Sequence, residues 1–160
     1  MKLWRIATET RAYPASDLSG AGAARHPGRW NDDGQAVVYA APTLSLAVLE
    51  TAAHIDSAGL PLNRFVVEIE VPAATWELRE TLDVARLPPS WSAIPAGRAS
   101  VVAGAAWLAA LRSPILLVPS VIVPEESVAL INPAHGACAA ITARVVRRFD
   151  YGGLFRTQSG

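Results

Sequence analysis

Short apolar segments, separated by prolines and polar turns, constrain the fold of this 160-residue chain more than any other feature. Runs of four to eight residues rich in Val, Ile and aromatic side chains are typical of β-strands. Two longer segments without an internal proline predict helices, over residues 43–56 and 96–113. Strands are predicted within residues 2–8, 36–41, 63–72, 127–131 and 140–151, and as two pieces within 114–124, broken at Pro119.

The order of these segments predicts a single α+β domain over residues 1–152, followed by a loose tail over residues 153–160. Its strands are short enough for antiparallel pairing, and no repeat or linker divides the chain. Residues 74–82 could form a short edge strand or a loop. Residues 87–95 contain three prolines and are predicted to be irregular.

Charge and cysteine content argue against several functional classes. Lys+Arg and Asp+Glu number 14 each, so no net charge favours nucleic acid or an anionic membrane. Cys138 is the only cysteine, and His26, His54 and His135 lack metal-site spacing, so we expect neither a disulfide nor a metal. The start of the chain lacks the apolar core of a secretory signal, and no segment has the length of about 20 apolar residues that spans a bilayer. We therefore expect a cytoplasmic protein without a membrane partner.

The connection between the first two predicted strands places an arginine and a tryptophan in a polar turn. Residues 9–35 are rich in turn formers, and a loop of this length inside a compact domain is often functional. Arg29 and Trp30 precede Tyr39, which lies on the second predicted strand. Taken singly, Arg29 is a surface residue and the two aromatic residues belong to the core. Taken together, they could form a charged lip on a ligand pocket.

Glu50 is a carboxylate on a mostly apolar predicted helix. It shares one helix face with Leu46 and His54, at a spacing of four residues. A carboxylate among apolar neighbours is costly to bury unless it is paired or used in chemistry. The simpler interpretation, that Glu50 faces water, is the one favoured by this helix alone.

The last third of the chain contains further polar residues that could bear on function. Ser120 follows a proline where a strand would favour another valine, and its hydroxyl could simply bind the backbone at a bulge or edge. Asn132 precedes a proline and is most simply a turn residue. His135 and Cys138 could form a thiol–imidazole pair, although a single cysteine is more often a small core residue.

The ordered set of these motifs resembles the RES-domain family. GRWNDDGQAVVYAAPTLSLAVLE, residues 28–50, is followed much later by PSVIVPEESVALINPAHG, and the LWRI start and chain length also fit. The family is named for an Arg, a Glu and a Ser, which correspond here to Arg29, Glu50 and Ser120. The NDDGQ and ESVAL stretches depart from the usual family pattern. These departures could alter the rim of the pocket but leave the three named residues intact.

The resemblance implies an ADP-ribosyltransferase-like fold of the diphtheria-toxin class, with two small packed β-sheets, few helices and a cleft for NAD. It also implies the toxin of a bacterial type II toxin–antitoxin system that arrests growth and uses NAD as its substrate, without a metal. The implied partner is a cognate Xre-like helix-turn-helix antitoxin. The chain would contact nucleic acid only indirectly, through that antitoxin.

The resemblance and the chemistry of the residues suggest a role for each candidate. Glu50 would stabilise the positive charge that grows on the ribose as the nicotinamide–ribose bond breaks. Arg29 would bind the pyrophosphate, and Tyr39 would stack on the nicotinamide. Ser120 would hydrogen-bond Glu50 or the nicotinamide ribose. Asn132 is expected to line the NAD site.

Three functional outcomes remain open for this chain. The first choice is depletion of NAD, with water or inorganic phosphate as the acceptor of ADP-ribose. The second is a protein ADP-ribosyltransferase that modifies a specific cellular enzyme. The third is a catalytically silent module that binds the antitoxin and regulates the operon, and the intact Arg29, Glu50 and Ser120 argue against it.

Overall fold

A computed structural model of the chain describes residues 1–55 and 59–154. Its strands are short, as predicted, because prolines and polar turns interrupt the apolar runs. In chain order they are β1 (Lys2–Ala7), β2 (Val38–Ala40), β3 (Phe65–Glu70), β4 (Glu80–Thr81), β5 (Ile115–Pro119), β6 (Ser127–Ile131) and β7 (Thr142–Arg148).

Both helices predicted from the sequence are confirmed, and two shorter helices accompany them. α2 begins after Thr43, whose side-chain oxygen accepts a hydrogen bond from the Leu46 N–H at 3.2 Å. It ends at Ala52, earlier than predicted, and residue 56 lies outside the described residues. The pattern does not predict the short helices because five residues carry too little periodicity. The helices are α1 (Ala21–Arg25), α2 (Leu44–Ala52), α3 (Ala73–Glu77) and α4 (Arg98–Ala110).

The strands form two small sheets. The three-stranded sheet has the order β1-β3-β7 with antiparallel neighbours, and the four-stranded sheet has the order β2-β6-β5-β4. In the latter, β2, β6 and β5 pair antiparallel, whereas β4 pairs parallel with β5. β4 is parallel to β5 because the long segment that includes α4 joins them, and such crossovers connect parallel strands.

Two segments differ from the sequence prediction. Residues 74–82 contain most of α3 as well as the edge strand β4, which is only two residues long. The apolar piece after Pro119, predicted as a strand, is a turn. The N–H groups of Ile122 and Val123 donate to the Ser120 hydroxyl oxygen at 3.1 and 3.0 Å, so they are not available to a sheet.

The hydrophobic core lies between the two sheets and extends over both outer faces. Leu3 and Ile69 of the three-stranded sheet pack in one cluster with Ile115 and Ile131 of the four-stranded sheet. Apolar residues of α2 cover the other face of the three-stranded sheet. On the far side, Trp107 of α4 packs against the four-stranded sheet. The architecture is therefore mixed α/β, with two small packed sheets and few helices, as predicted.

The chain end described by the structure packs onto α2. Residues Tyr151–Leu154 form a 3-10 turn, and the buried Tyr151 hydroxyl donates to the Thr51 side-chain oxygen at 2.7 Å. This turn includes residues 153 and 154, which the sequence assigns to a loose tail, and residues 155–160 lie outside the described part. The domain boundary at residue 152 stays a prediction. Within residues 1–55 and 59–154, none of the helices is long and apolar enough to cross a bilayer.

Candidate active site

α2 brings the Glu50 carboxylate to the Ser120 hydroxyl, across 70 residues of sequence. Glu50 lies near the end of α2 and is half-buried, and the Ser120 Oγ donates a short hydrogen bond to its Oε1. Ser120 directly follows β5 and is buried. The contact shows that Glu50 does not simply face water, which was the simpler interpretation of its helix.

The backbone around Ser120 fixes the direction of its hydroxyl proton. The oxygen accepts hydrogen bonds from the N–H groups of Ile122 at 3.1 Å and Val123 at 3.0 Å. A serine hydroxyl has a single proton and two acceptor lone pairs. Because both lone pairs receive backbone donors, the proton points to Glu50. The expected backbone contact of Ser120 and the expected contact with Glu50 therefore occur together.

Arg29 is held by the segment that precedes α4. Its Nη1 donates to the carbonyl oxygens of Trp91 at 3.0 Å and Ala93 at 2.9 Å. Burial lowers the pKa of Arg29, and the acidic groups of Glu50 and Tyr39 oppose that shift. A guanidinium stays charged in proteins, so Arg29 is a fixed cation within electrostatic range of the Glu50 carboxylate. The structure thus brings together Arg29, Glu50, Ser120 and Tyr39.

Tyr39 uses its hydroxyl inside the protein. The hydroxyl donates to Asn31 Oδ1 at 2.8 Å and accepts a hydrogen bond from the Trp30 N–H at 3.0 Å. Burial raises the pKa of Tyr39, and the Trp30 N–H and the Arg29 charge offset only part of that shift. Asn31 is 1% exposed and was not among the sequence candidates. The only sequence signal for it is its position beside Arg29 and Trp30 in the polar turn.

Trp30 anchors the loop of residues 28–35, here called the Arg29 turn. Its side chain is buried, and its ring stacks with that of Trp91 at a centroid distance of 5.9 Å. Its carbonyl oxygen lies against α4, where a Cβ placed on Gly104 would be 1.8 Å away. The core position predicted for Trp30 is confirmed by its burial.

The structure does not bring Asn132 to the Glu50–Ser120 pair. Asn132 follows β6 at the end where that strand pairs with the start of β5, whereas Ser120 follows the other end of β5. Five strand residues separate the two ends, roughly 17 Å at about 3.4 Å per residue. The Asn132 amide is buried, donates to the Leu108 carbonyl at 2.9 Å and accepts from the Ala134 N–H at 3.2 Å.

His135 and Cys138 lie near Asn132 and do not form a thiol–imidazole pair in the described structure. The His135 Nδ1 accepts a hydrogen bond from the Ala137 N–H at 3.2 Å, and the Cys138 thiol donates to the Pro114 carbonyl at 3.6 Å. Burial raises the pKa of Cys138 to about 11. A thiol with so high a pKa is a poor nucleophile at neutral pH. In residues 1–55 and 59–154, no three His, Cys, Asp or Glu side chains are grouped so as to hold a metal ion.

Comparison with known proteins places this arrangement in a family. Residues 2–152 match the family model described as RES domain. A protein of Sphingobium sp. (strain YBL2) named Prs ADP-ribosylating toxin is 54% identical over 148 residues, 92% of each chain. A protein of Yersinia enterocolitica named Toxin Res is 38% identical over 84% of this chain and 86% of its own. A second Toxin Res, from Photorhabdus laumondii, is 35% identical over 95% and 94%. The chain belongs to the RES-domain family of toxins.

Proposed function

We propose that this toxin is an enzyme that cleaves the nicotinamide–ribose bond of NAD and transfers the ADP-ribose to an acceptor. The observation that carries the proposal is the Ser120–Glu50 hydrogen bond, made beside the fixed cation of Arg29. The relative with 54% identity supports this reaction class, since its name describes an ADP-ribosylating toxin.

The reaction needs a negative charge where positive charge develops. The bond between ribose C1′ and the nicotinamide nitrogen breaks, and its electron pair leaves with nicotinamide. The ribose then carries oxocarbenium-like charge, which a carboxylate stabilises in a partly dry site. The nucleophile of the acceptor bonds to C1′, and its proton passes to Glu50 or to water. Glu50 suits this role because Ser120 engages Oε1 and leaves Oε2 to face the ribose or the nucleophile.

Arg29 suits the pyrophosphate of NAD. Within residues 1–55 and 59–154, Arg29 forms no salt bridge with a carboxylate, and its Nη1 is held by two backbone carbonyls. Among the described contacts, Nη2 and Nε make no hydrogen bond, so they can donate to phosphate oxygens as a planar fork. The donor set therefore fits an anionic dinucleotide.

Tyr39 and Asn132, the two remaining candidate residues, have different roles in this proposal. The half-buried ring of Tyr39 lies beside the cation and is proposed to contact the nicotinamide, as the sequence suggests, while its hydroxyl is occupied by Asn31. Asn132 is assigned a structural role, because its amide binds Leu108 and Ala134 at the other end of the sheet.

The name of the 54% identical relative favours protein ADP-ribosylation over NAD depletion. NAD depletion through water or phosphate was the first choice from the sequence, and protein modification the second. The 54% identical toxin is named for ADP-ribosylation of Prs. We therefore propose a protein acceptor, with Prs as the first candidate, and keep NAD depletion as the alternative.

The proposal also includes a fold class and a partner protein. Two small packed sheets with few helices are compatible with an ADP-ribosyltransferase-like fold of the diphtheria-toxin class. The relatives named Toxin Res support a toxin–antitoxin pair. We propose a cognate Xre-like helix-turn-helix antitoxin as the partner, in the cytoplasm, and no resident metal.

The test is product analysis with NAD labelled in its adenylate half, with purified Prs, with phosphate, and with neither. We expect label on Prs and little free ADP-ribose. Glu50→Ala should abolish labelling and toxicity while the chain stays folded, because Glu50 is only half-buried. Glu77→Ala, which removes an exposed carboxylate from α3, is the matched control and should behave as wild type.

Three other results would contradict the acceptor, the role of Glu50 or the proposal as a whole. Label found only in free ADP-ribose or its phosphate would contradict the protein acceptor and establish NAD depletion. A Glu50→Ala variant that still consumes NAD would remove Glu50 from the chemistry. A wild-type chain that leaves NAD intact with every acceptor would overturn the proposal as a whole.

A further inference from the structure

We infer that Asn31 is a positioning residue that acts, together with the Tyr39 hydroxyl, on Arg29. These two side chains bind the backbone N–H groups of Gly28 and Trp30, the residues on either side of Arg29, and so fix where its guanidinium stands. The inference rests on the proposed function, in which Arg29 binds the pyrophosphate of NAD. The inference assigns a role to the Tyr39 hydroxyl, which stacking of the ring on nicotinamide would not use.

Three hydrogen bonds connect the two side chains to the backbone around Arg29. The Gly28 N–H donates to Asn31 Oδ1 at 2.9 Å, and the Trp30 N–H donates to the Tyr39 hydroxyl oxygen at 3.0 Å. The Tyr39 hydroxyl in turn donates to the same Asn31 oxygen at 2.8 Å. The backbone N–H groups of Gly28 and Trp30, the residues before and after Arg29, are therefore bound by one two-residue unit, called here the Asn31–Tyr39 clamp.

The other end of the Asn31 side chain ties the clamp to the rest of the loop. Its Nδ2 donates to the carbonyl oxygens of Ala23 at 2.9 Å, Gln35 at 3.0 Å and Asp32 at 3.2 Å. Asn31 is 1% exposed, so these bonds are shielded from water. The position requires an acceptor on one side and a donor on the other, which only an amide of this size supplies. An aspartate would turn a second oxygen toward three carbonyls and repel them.

Close packing leaves the clamp little room to move. A Cβ on Gly28 would lie 2.7 Å from the Tyr39 hydroxyl oxygen, so a side chain at residue 28 would push the phenol away. The guanidinium of Arg29 is held separately by the carbonyls of Trp91 and Ala93. Because these hydrogen bonds are 3.0 and 2.9 Å long, a shift of the Arg29 turn by an ångström would break them.

Tyr39→Phe distinguishes the clamp from stacking, because it keeps the aromatic ring and removes only the hydroxyl. If Tyr39 acts by its ring alone, the variant should have the wild-type KM for NAD. If it acts through the clamp, KM should rise roughly tenfold while kcat changes by less than about twofold. Asn31→Asp should raise KM in the same way. Tyr13→Phe is the matched control, since the Tyr13 hydroxyl lies against Gly22, outside the clamp.

A double-mutant cycle shows whether the effect passes through Arg29. Tyr39→Phe should raise KM in the wild-type chain and have no further effect in an Arg29→Ala background, because the clamp then has no guanidinium to position. Equal effects in both backgrounds would overturn the inference, and so would a wild-type KM for Tyr39→Phe. The cycle does not depend on Asn31→Asp, which alters a buried residue and could fail to fold.

Amide hydrogen exchange gives a readout that does not require activity. In the full-length chain, the Gly28 and Trp30 amides should be protected. Tyr39→Phe removes the acceptor of the Trp30 N–H and should speed exchange there more than at Gly28, which Asn31 still binds. Unchanged exchange would overturn the inference. If the wild-type chain leaves NAD intact, the proposed function fails, and hydrogen exchange still decides whether the clamp holds the backbone at Arg29.

Discussion

At the scale of single residues, the Ser120 hydroxyl makes three hydrogen bonds and so uses its proton and both of its lone pairs. It accepts from two backbone N–H groups and donates to Glu50, while the Ser120 N–H donates to the Glu126 carbonyl at 2.9 Å. A group with this many partners holds one orientation before any substrate arrives. The Glu50 carboxylate is therefore already oriented in the free protein, so the proposed reaction would need little reorganisation.

Ser120→Ala tests this orientation. The substitution leaves the amides of Ile122 and Val123 without their acceptor, so the free energy of unfolding should fall by about 1–3 kcal/mol. Glu50 loses its hydroxyl partner, and kcat should fall by roughly tenfold or more with a small change in KM. Urea denaturation and initial rates measure the two effects. Ser90→Ala, at an exposed serine, should change neither, and a fully active Ser120→Ala variant would contradict the assigned role.

At the scale of elements, one carboxylate joins all the strands of the three-stranded sheet. Glu68 on β3 binds Lys2 of β1 at 3.3 Å and Arg144 of β7 at 2.9 Å. Burial acts to raise the pKa of Glu68, but hydrogen bonds and charges from Arg144 and Lys2 outweigh it and lower the pKa below the ordinary 4.5. Glu68 thus contributes stability in its ionised form.

The pH dependence of that contribution has a defined sign. Because the pKa of Glu68 is lower in the folded than in the unfolded chain, its stabilisation is complete above the unfolded value and is lost as pH falls through the folded one. Glu68→Gln should therefore be less stable than wild type near pH 7 and closer to it near pH 3. Urea midpoints at both pH values give the comparison. Glu70→Gln, at an exposed residue of the same strand, should show no such convergence.

The contact between α4 and the Arg29 turn depends on a glycine. A Cβ at residue 104 would lie 1.8 Å from the Trp30 carbonyl oxygen, and that atom belongs to backbone that cannot rotate away. Gly104→Ala should therefore separate α4 from the turn, lower the free energy of unfolding by about 1–3 kcal/mol and raise KM for NAD. Gly136→Ala adds the same methyl group where nothing lies within 4 Å and serves as the control. Equal stability of the two variants would contradict this packing.

At the scale of the whole molecule, the sequence predicts the elements better than their contacts. α2 and α4 were predictable because they are long, free of proline and, for α2, capped by Thr43. α1, α3 and β4 have five residues or fewer, too few to show a period. The Val-Ile-Val run after Ser120 resembles a strand in composition, but hydrogen bonds to the Ser120 hydroxyl make it a turn.

The candidate site was predictable in its residue types and not in its geometry. Arg29, Glu50 and Ser120 follow from the family resemblance, whereas no spacing rule links a helix carboxylate to a hydroxyl 70 residues later. Asn31 looks like an ordinary turn residue because the groups it binds come together only in the folded loop. Asn132 looks like a site residue in the motif, yet the length of the β5–β6 pair places it at the far end of the sheet.

The long separation between Glu50 and Ser120 also sets when the site comes into existence during translation. Arg29, Tyr39 and Glu50 are synthesised within the first third of the chain, but Ser120 follows only after about three quarters of it. A nascent chain that stops short of Ser120 carries the carboxylate without its hydroxyl and without β6, which completes the four-stranded sheet. The site can therefore assemble only after Ser120 and β6 have been synthesised, and not from the segment that carries Arg29, Tyr39 and Glu50 alone.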